Sequence, residues 1–106
     1  MRHDQIEWSN RDELLAALLD LESAIATKYK IRLKGLVGSW AREDASATSD
    51  IDIVYTPVGR HTLFDLGGAD TDLSEALGCK VDLIDWLLVK PGYLKTMKRD
   101  LVELHG

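Results

Sequence analysis

The chain has 106 residues, of which 45% are apolar and 29% are charged, a composition typical of one globular domain spanning residues 1–106. Its formal net charge of −5 argues against a general nucleic-acid-binding protein, since no basic cluster dominates any segment. A lone cysteine, Cys79, excludes an internal disulfide and a thiolate metal cluster. Because the sequence has no long apolar run and no signal peptide, we expect a cytoplasmic protein without a membrane span.

The first half of the chain predicts a helix followed by two strands. Ser9 or Asn10 can cap a helix that runs to about Tyr29, because apolar side chains recur along one face at helical spacing. That face consists of Leu14, Leu18, Leu21 and Ile25. Residues 31–37 form a mostly apolar run that ends at a glycine, which predicts a buried strand. Residues 50–55 predict a second strand, stopped by the Thr-Pro pair and the glycine that follow.

The second half predicts a helix, a strand and a further helix. Residues 62–77 favour a helix, and Gly78 suits its C-terminal cap. Residues 80–88 predict a third strand, and residues 92–100 predict a last helix that a proline can start. Residues 101–104 either add an edge strand or extend that helix. The order α-β-β-α-β-α favours an α/β (α+β) protein, in which helices pack against a small sheet.

Two carboxylates open the second predicted strand. Strand residues two apart project from the same face, so Asp50 and Asp52 lie side by side while Ile51 and Ile53 face the core. Two like charges held this close normally need a cation, and carboxylate oxygens suit Mg²⁺ or Mn²⁺. A site for two ions commonly has a third carboxylate. Asp82 is the best candidate for it, because apolar residues flank it on the third strand.

A Gly-Ser pair closes the first strand, ten residues before these carboxylates. Gly38 lets the backbone approach a triphosphate closely. Ser39 adds a hydroxyl donor and begins a stretch, through residue 42, that can form a short helix with its N–H groups towards the phosphates. Arg42 can reach a phosphate as a forked donor. A phosphate-binding turn beside metal-binding carboxylates predicts phosphoryl or nucleotidyl transfer.

These residues resemble the nucleotidyltransferase superfamily that includes DNA polymerase β, whose pattern is Gly-Ser, ten residues, then Asp-x-Asp. In this chain the pattern is Gly38-Ser39 followed by Asp50-Ile51-Asp52, and the segments 62–66 and 77–85 also match the minimal nucleotidyltransferases of that superfamily. The resemblance therefore covers most of the chain. It implies the polymerase β-like nucleotidyltransferase fold, with a small mixed β-sheet flanked by helices.

The same resemblance implies an activity and the residues that carry it out. The catalytic carboxylates, which would also hold two Mg²⁺ ions, are Asp50, Asp52 and Asp82; the nucleotide-binding residues are Gly38, Ser39 and Arg42. An acceptor hydroxyl activated by Asp82 would attack the α-phosphate of ATP, and pyrophosphate would leave. The resemblance further implies an antitoxin that forms a hetero-oligomer with a helical HEPN ribonuclease toxin and adds AMP to a tyrosine of that toxin.

One residue departs from the family pattern. Many relatives have glycine where this chain has Glu43, in an Ala-Arg-Gly sequence after the Gly-Ser turn. If the position requires a positive φ, a glutamate there costs about 1 kcal/mol relative to glycine. Its carboxylate would also lie close to a bound triphosphate. The departure therefore concerns phosphate affinity and leaves the predicted metal site intact.

The sequence leaves three functions open. The first is transfer of AMP to a partner protein, which we favour because a chain of 106 residues has little surface left for a shaped acceptor site. The second is a non-catalytic antitoxin that binds and occludes its partner, a reading that Glu43 favours. The third is nucleotidyl transfer to a small alcohol by a homodimer, as in the aminoglycoside-modifying enzymes.

Overall fold

The computed structural model describes residues 10–46 and 49–105, which form four helices and four strands. In chain order the elements are α1 (Arg11–Tyr29), β1 (Ile31–Val37), α2 (Gly38–Arg42), β2 (Ile51–Pro57), α3 (Leu63–Leu77), β3 (Val81–Asp85), α4 (Pro91–Asp100) and β4 (Val102–Glu103). A 3₁₀ turn, Trp86–Leu88, connects β3 to α4. The predicted order of the longer elements is confirmed. Ser9, one of the two predicted caps of α1, lies outside the described residues.

The strands form one mixed sheet in the order β3-β2-β1-β4. β1 is antiparallel to both β2 and β4, whereas β2 and β3 are parallel and are joined by the crossover helix α3. This arrangement confirms the small mixed sheet flanked by helices. It also gives the sheet two different ends. β2 and β3 begin at the end where β1 finishes, and they finish at the opposite end, which we call the distal end.

Local signals bound the two long helices. The side chain of Asn10 accepts a hydrogen bond of 2.9 Å from the backbone N–H of Glu13 and so caps α1. Thr62 and Asp65 form a capping box at the start of α3. Gly78 ends α3 with a φ of 74°, in the left-handed conformation that favours glycine, as predicted. Among the described residues, no helix has the length and apolarity needed to cross a bilayer.

The hydrophobic core lies between one face of the sheet and helices α1 and α3. Ile51 and Ile53 of β2 are fully buried in it, as their alternation with the aspartates predicts. The side chains of the predicted apolar face of α1 that join this core are Leu14, Leu18 and Ile25, with Leu21 partly buried beside them. Because Ile51 and Ile53 point into the core, Asp52 between them points to the other face of the sheet.

A close contact between Tyr29 and Gly68 holds α1 against α3. A Cβ built at Gly68 would lie 3.0 Å from Cζ of Tyr29, so glycine is what allows the ring to approach the helix. The Tyr29 hydroxyl donates a hydrogen bond to the carboxylate of Asp72, which also lies 3.3 Å from Nζ of Lys28. Gly68, which follows a second glycine within α3, therefore has a packing role.

Two strand boundaries differ from the prediction. β2 continues through Pro57, past the expected stop, because this last residue still pairs with Ile31 at the start of β1. β3 ends at Asp85 and does not continue to residue 88. The Asp85 side chain accepts a hydrogen bond of 2.9 Å from the backbone N–H of Leu87, and the chain turns there into the 3₁₀ segment. At the end of the chain, the alternative of an edge strand is the correct one.

Candidate active site

Strand pairing brings the predicted carboxylates and the Gly-Ser turn to the same end of the sheet. Asp52, the second residue of β2, pairs with Val37 of the antiparallel β1 and with Asp82 of the parallel β3. Because Gly38 follows Val37 directly, α2 begins beside Asp52. Asp50 immediately precedes β2 at the same end. The two sequence motifs are therefore neighbours in the structure, as expected if their strands pair.

Asp52 lies where an ionised carboxylate is unfavourable. Its side chain is half-buried, and this burial raises its pKa above the usual value. The negative charges of Asp82 and Asp50, together with a hydrogen bond to Asp82, raise the pKa of Asp52 further, whereas the positive charge of Arg42 lowers it. Neighbouring carboxylates of this kind are stabilised either by a bound cation or by protonation of one of them. The environment is the one expected for a cation-binding carboxylate pair.

The backbone of Gly38 packs directly against the carboxylate of Asp52. Gly38 has a φ of 76°, in the left-handed region. A Cβ built at this position would overlap Oδ2 of Asp52 and lie 3.3 Å from its Cγ. Any other residue would therefore be strained in its own backbone and would also displace the carboxylate. The glycine that the sequence assigns to phosphate approach thus also makes room for Asp52.

The carboxylates fit a hard divalent cation in their chemistry but do not converge completely. Oδ2 of Asp50 lies 3.9 Å from Nζ of Lys80, and 43% of its side chain is exposed. Within residues 10–46 and 49–105, no group of three Asp, Glu, His or Cys side chains is arranged to hold a metal ion. The paired oxygen donors of Asp52 and Asp82, and the repulsion between them, suit Mg²⁺ or Mn²⁺. Asp50 would join them by rotating away from Lys80.

Asp85 lies on the other face of β3, as its spacing of three residues from Asp82 predicts. It pairs in register with Tyr55 of β2, a residue of the hydrophobic core. Burial raises the pKa of the Tyr55 hydroxyl, and the nearby charge of Asp85 raises it further. Asp85 therefore interacts with the core side of the sheet and not with the carboxylates of the site.

Two carboxylates bind Arg42 in this structure. Nη1 of Arg42 lies 2.9 Å from Oδ2 of Asp100, at the end of α4, and Nε lies 3.2 Å from Oδ2 of Asp44. Asp100 and then Asp44 raise the pKa of the Arg42 guanidinium above its already high value. Only 11% of the Asp100 side chain is exposed, so this pair joins α2 to α4. A phosphate would have to replace one of these partners, and the phosphate-binding role of Arg42 stays a prediction.

Glu43 ends α2 with a φ of 64°, the positive value at which the family glycine would be unstrained. Its carboxylate lies 3.1 Å from Nη2 of Arg11 on α1. Nη1 of Arg11 donates a hydrogen bond of 2.7 Å to the carbonyl of Ala41. Arg11 therefore holds the end of α2 against the first turn of α1. No local sequence signal predicts this contact, because α1 and β1 separate the two residues along the chain.

A protein-family model described as the nucleotidyltransferase domain matches residues 13–104, from the first turn of α1 through β4. The chain belongs to the nucleotidyltransferase domain family. The match includes both the Gly-Ser turn and the three carboxylates, so the resemblance that the sequence carries is confirmed at the level of the family. The protein is thus an enzyme of the nucleotidyltransferase class.

Relatives of similar length support this class. The nucleotidyltransferase is 35% identical over 96 residues to a Methanocaldococcus jannaschii protein named as a protein adenylyltransferase, in a match that covers 87% of this chain and 95% of that protein. It is 28% identical over 91 residues to the protein adenylyltransferase MntA of Thermococcus cleftensis, with 86% and 92% of the two chains covered. The nucleotidyltransferase therefore spans nearly the whole of both relatives.

Solved structures share the fold. A minimal nucleotidyltransferase superimposes with a TM-score of 0.73 at 21% identity, covering 89% of this chain and 95% of that one. A chain from the complex of tri-AMPylated Shewanella oneidensis HEPN toxin with MNT antitoxin superimposes with a TM-score of 0.65 at 19% identity, covering 89% of this chain and 71% of that one. At these identities the likeness shows the fold, which is that of the minimal nucleotidyltransferases.

Proposed function

We propose that this nucleotidyltransferase transfers AMP from ATP to a tyrosine hydroxyl of a HEPN toxin in the cytoplasm and thereby acts as an antitoxin. The observation that carries the proposal is the contact between the Gly38 backbone and the Asp52 carboxylate, next to Asp82. This contact supports a phosphate chain and a cation being bound side by side. Relatives named as protein adenylyltransferases, and fold neighbours solved with a HEPN toxin, support the choice of acceptor.

The proposed step transfers the nucleotidyl group in one displacement. The acceptor oxygen forms a bond to the α-phosphorus of ATP, the bond from that phosphorus to the bridging oxygen breaks, and pyrophosphate leaves. Asp82 accepts the proton of the acceptor hydroxyl. Asp50, Asp52 and Asp82 would hold two Mg²⁺ ions, which neutralise charge on the phosphates when they are bound.

The residues of the turn would bind the triphosphate. At Gly38 the backbone has no Cβ, so the phosphates can approach Asp52 and its neighbours closely. Ser39 would donate its hydroxyl to a phosphate oxygen. Arg42 would exchange Asp44 or Asp100 for a phosphate, as a permanently charged donor near Asp52. Each of these groups stabilises negative charge where the displacement builds it up.

Labelled ATP tests the proposal directly. The purified chain, Mg²⁺ and the HEPN protein of the same organism are incubated with ATP that carries the label at its α-phosphate. We expect label on the HEPN protein with α-labelled ATP and none with γ-labelled ATP. Asp82→Asn should abolish the label, whereas Asp85→Asn, a matched change on the opposite face of β3, should retain it. Absence of label with the unaltered chain, under conditions in which ATP binds, would refute nucleotidyl transfer to this acceptor.

A non-catalytic antitoxin is the second candidate, and the state of the site favours it in one respect. Arg42 is bound by Asp44 and Asp100, and Asp50 lies towards Lys80, so two of the predicted site residues have other partners in this structure. The two candidates differ in the effect of a double Asp50→Asn and Asp52→Asn change. If this variant still neutralises the toxin as well as the unaltered chain, occlusion is the mechanism and catalysis is dispensable.

A further inference from the structure

The two carboxylates that hold Arg42 differ sharply in burial. Asp100 accepts from Nη1 of Arg42 at 2.9 Å, and Asp44 accepts from its Nε at 3.2 Å. The Asp100 side chain is 11% exposed, whereas that of Asp44 is 59% exposed. Both contacts lie where β1 finishes and α2 begins, at the end of the sheet opposite the distal end. The two carboxylates therefore have different surroundings although they share one guanidinium.

Burial decides which of the two ion pairs a ligand can replace. An exposed ion pair contributes little, because water screens it and solvates both charges when it opens. A buried carboxylate that loses its partner has little water to replace it, so opening such a pair is costly. Nε of Arg99 lies 3.9 Å from Oδ1 of Asp100, too far for a hydrogen bond that would compensate. A phosphate that approaches Arg42 therefore displaces Asp44 more easily than Asp100.

The charge of Asp100 does not stabilise the helix that carries it. Asp100 is the last residue of α4, where the helix dipole presents its negative end. Cations suit that end, and Lys98 and Arg99 in the same turn supply them. A carboxylate at this position is unfavourable for α4 itself. Its favourable contact is with Arg42 on α2, outside the helix.

The backbone around Asp100 is fixed on both sides. Before it lies α4, and the N–H of Leu101 donates to the carbonyl of Met97 at 2.8 Å. After it, β4 pairs with the middle of β1. A Cβ built at Gly35 would overlap the carbonyl oxygen of Val102, so glycine is what allows β4 to lie this close to β1. Asp100 is therefore held in place beside the strand that leads into α2.

Asp44 lies in a segment without such support. Residues 44–46 belong to no helix and no strand, and they follow directly on the left-handed residue that ends α2. The backbone N–H of Asp44 donates to the carbonyl of Ser39 at 3.0 Å, which fixes the start of the segment. The exposed side chain can rotate into solvent without disturbing any element of the fold. Asp44 can therefore leave Arg42 at little structural cost.

The two carboxylates also use different nitrogens of the guanidinium. Nε and Nη2 present parallel N–H groups along one edge, and that edge matches two oxygens of a phosphate. Asp44 binds Nε on this edge, whereas Asp100 binds Nη1, which lies outside it. A phosphate can therefore take the Nε–Nη2 edge while Asp100 keeps Nη1. The positive charge of Arg42 lowers the pKa of Asp52, so the guanidinium is close to the carboxylates of the site.

We propose that Asp100 is a positioning residue that holds Arg42 for the triphosphate of ATP, and that Asp44 occupies the place of a phosphate on Arg42 until ATP binds. The inference rests on the proposed function, because that function assigns Arg42 to a phosphate. ATP binding is then an exchange at one guanidinium. The exposed carboxylate leaves, a phosphate takes its edge, and the buried carboxylate stays.

A pair that only joins α2 to α4 is the alternative role for Asp100 and Arg42. Loosening such a structural pair would weaken ATP binding by the same factor whether or not Asp44 carries a charge. A positioning residue behaves differently, because it holds Arg42 against the attraction of Asp44. Its loss should matter less once Asp44 is neutral. The dependence of one substitution on the other therefore distinguishes the two roles.

The test measures ATP binding to the full chain by calorimetry, with MgCl₂ and without an acceptor. Asp44→Asn should lower the dissociation constant by about threefold, because a competitor for Arg42 loses its charge. Asp100→Asn should raise it by about tenfold, because the guanidinium then turns towards Asp44. When Asp44→Asn is already present, adding Asp100→Asn should raise the constant by only about threefold. The opposite signs of the two single changes are the central expectation.

Matched controls separate this effect from a general change in charge or folding. Asp20→Asn removes an exposed carboxylate from α1, on the other side of the sheet, and should leave the dissociation constant unchanged. Melting curves show whether each variant is folded at the temperature of the assay. Asp44→Asn alters an exposed side chain, so its effect on ATP binding tests the proposal even if Asp100→Asn lowers the melting temperature.

The possible outcomes separate this proposal from the proposed function. If both single changes shift the dissociation constant in the same direction, or if Asp44→Asn leaves it unchanged, the division of roles between the two carboxylates is wrong. If Asp100→Asn weakens binding by the same factor with and without Asp44→Asn, the pair is only structural. In each of these cases the unaltered chain still binds ATP, and the proposed function stands. If the unaltered chain binds no ATP, the proposed function fails and this inference fails with it.

Discussion

Gly38 and Asp52 lie in contact across the β1–β2 pair, with the backbone of the glycine against the carboxylate of the aspartate. The contact requires both the positive φ of Gly38 and its lack of a side chain. It joins the turn that would bind phosphates to the carboxylate that would bind a cation. The two motifs therefore depend on each other structurally, although ten residues separate Ser39 from Asp50 in the sequence.

Gly38→Ala should reduce the rate of AMP transfer by about 100-fold or more, because the new Cβ overlaps Oδ2 of Asp52 and the backbone is strained at a φ of 76°. The rate is measured with α-labelled ATP at saturating acceptor. Gly59→Ala is the control, since a Cβ there meets nothing within 4 Å. Equal rates for the two alanine variants would show that the contact does not matter for catalysis.

Asp52→Asn should abolish transfer and yet raise the thermal stability of the metal-free chain. The ionised Asp52 is half-buried near two like charges, so the neutral amide relieves repulsion in the folded state. Adding MgCl₂ should stabilise the unaltered chain, because a ligand that binds only the folded state raises its melting temperature. It should stabilise Asp52→Asn much less. Melting curves with and without Mg²⁺ measure both effects, and an identical Mg²⁺ response in the two proteins would contradict the assignment of Asp52 as a ligand.

Gly67→Ala and Gly68→Ala, in adjacent positions of α3, should change stability in opposite directions. At Gly67 the added methyl meets nothing within 4 Å, so the higher helix propensity of alanine should stabilise the fold by about 0.5–1 kcal/mol. At Gly68 the methyl overlaps the ring of Tyr29 and should destabilise the fold by about 1–3 kcal/mol. Urea unfolding gives both values. A stabilising Gly68→Ala would mean that α1 and α3 do not pack as described.

Two substitutions separate the ion pair that Glu43 forms with Arg11 from the backbone strain at its positive φ. Glu43→Ala loses the ion pair with Arg11 but keeps the left-handed backbone strain, whereas Glu43→Gly loses the pair and the strain together. We expect the glycine variant to be more stable than the alanine variant by about 1 kcal/mol. The midpoints of denaturant unfolding measure this difference in stability when the two variants have the same m-value. If the two variants have the same stability, Glu43 does not carry backbone strain in solution.

The stability that Asp72 contributes should depend on pH. The hydrogen bond from Tyr29, and then Lys28, lower the pKa of Asp72 below its usual value of 3.8 in the folded chain, against the opposing effect of partial burial. The stability that ionised Asp72 contributes is therefore complete above pH 3.8, and it is lost as the pH falls through the lower pKa that Asp72 has in the folded chain. It should amount to no more than about 1 kcal/mol, because 40% of the side chain is exposed to screening by water.

Urea unfolding of Asp72→Asn and the unaltered chain across the acidic range measures this difference. The difference in the free energy of unfolding between the two proteins should disappear as the pH falls below the pKa of Asp72 in the folded chain. Asp70→Asn is the matched control on the same helix, since Asp70 accepts a hydrogen bond of 3.0 Å from the hydroxyl of Ser74, one turn along α3. A gap that stays constant with pH would mean that the charge of Asp72 contributes nothing.

The sequence could predict the parts of the structure that local patterns determine. The helical spacing of Leu14, Leu18 and Ile25 and the capping residues defined α1 and α3, and the alternation around Asp52 defined which face of β2 is buried. The sequence placed Gly38 beside Asp52 only on the condition that their strands pair, and the antiparallel pairing of β1 with β2 meets that condition. The family pattern supplied the roles of the site residues, which strand spacing alone could not.

Side-chain contacts, both local and between distant parts of the chain, account for what the sequence did not predict. The end of β3 at Asp85 depends on a side-chain cap that an apolar run from Trp86 to Leu88 conceals. Arg42 pairs with Asp100 on α4 as well as with its neighbour Asp44, and Glu43 pairs with Arg11 on α1; no spacing rule connects either residue to its distant partner. Phe64 is apolar and helical but 92% exposed, because the core of α3 begins only after its first turn.

The parallel pairing of β2 with β3 also has a consequence for how the protein is made. Asp82 enters the site only after α3 has crossed the sheet and β3 has added to its edge. A nascent chain that has emerged from the ribosome only as far as β2 has the Gly-Ser turn, Asp50 and Asp52, but not the third carboxylate. If Asp82 takes part in catalysis as proposed, the activity appears only late in synthesis, because the pairing of β3 with β2 is one of the last long-range contacts to form.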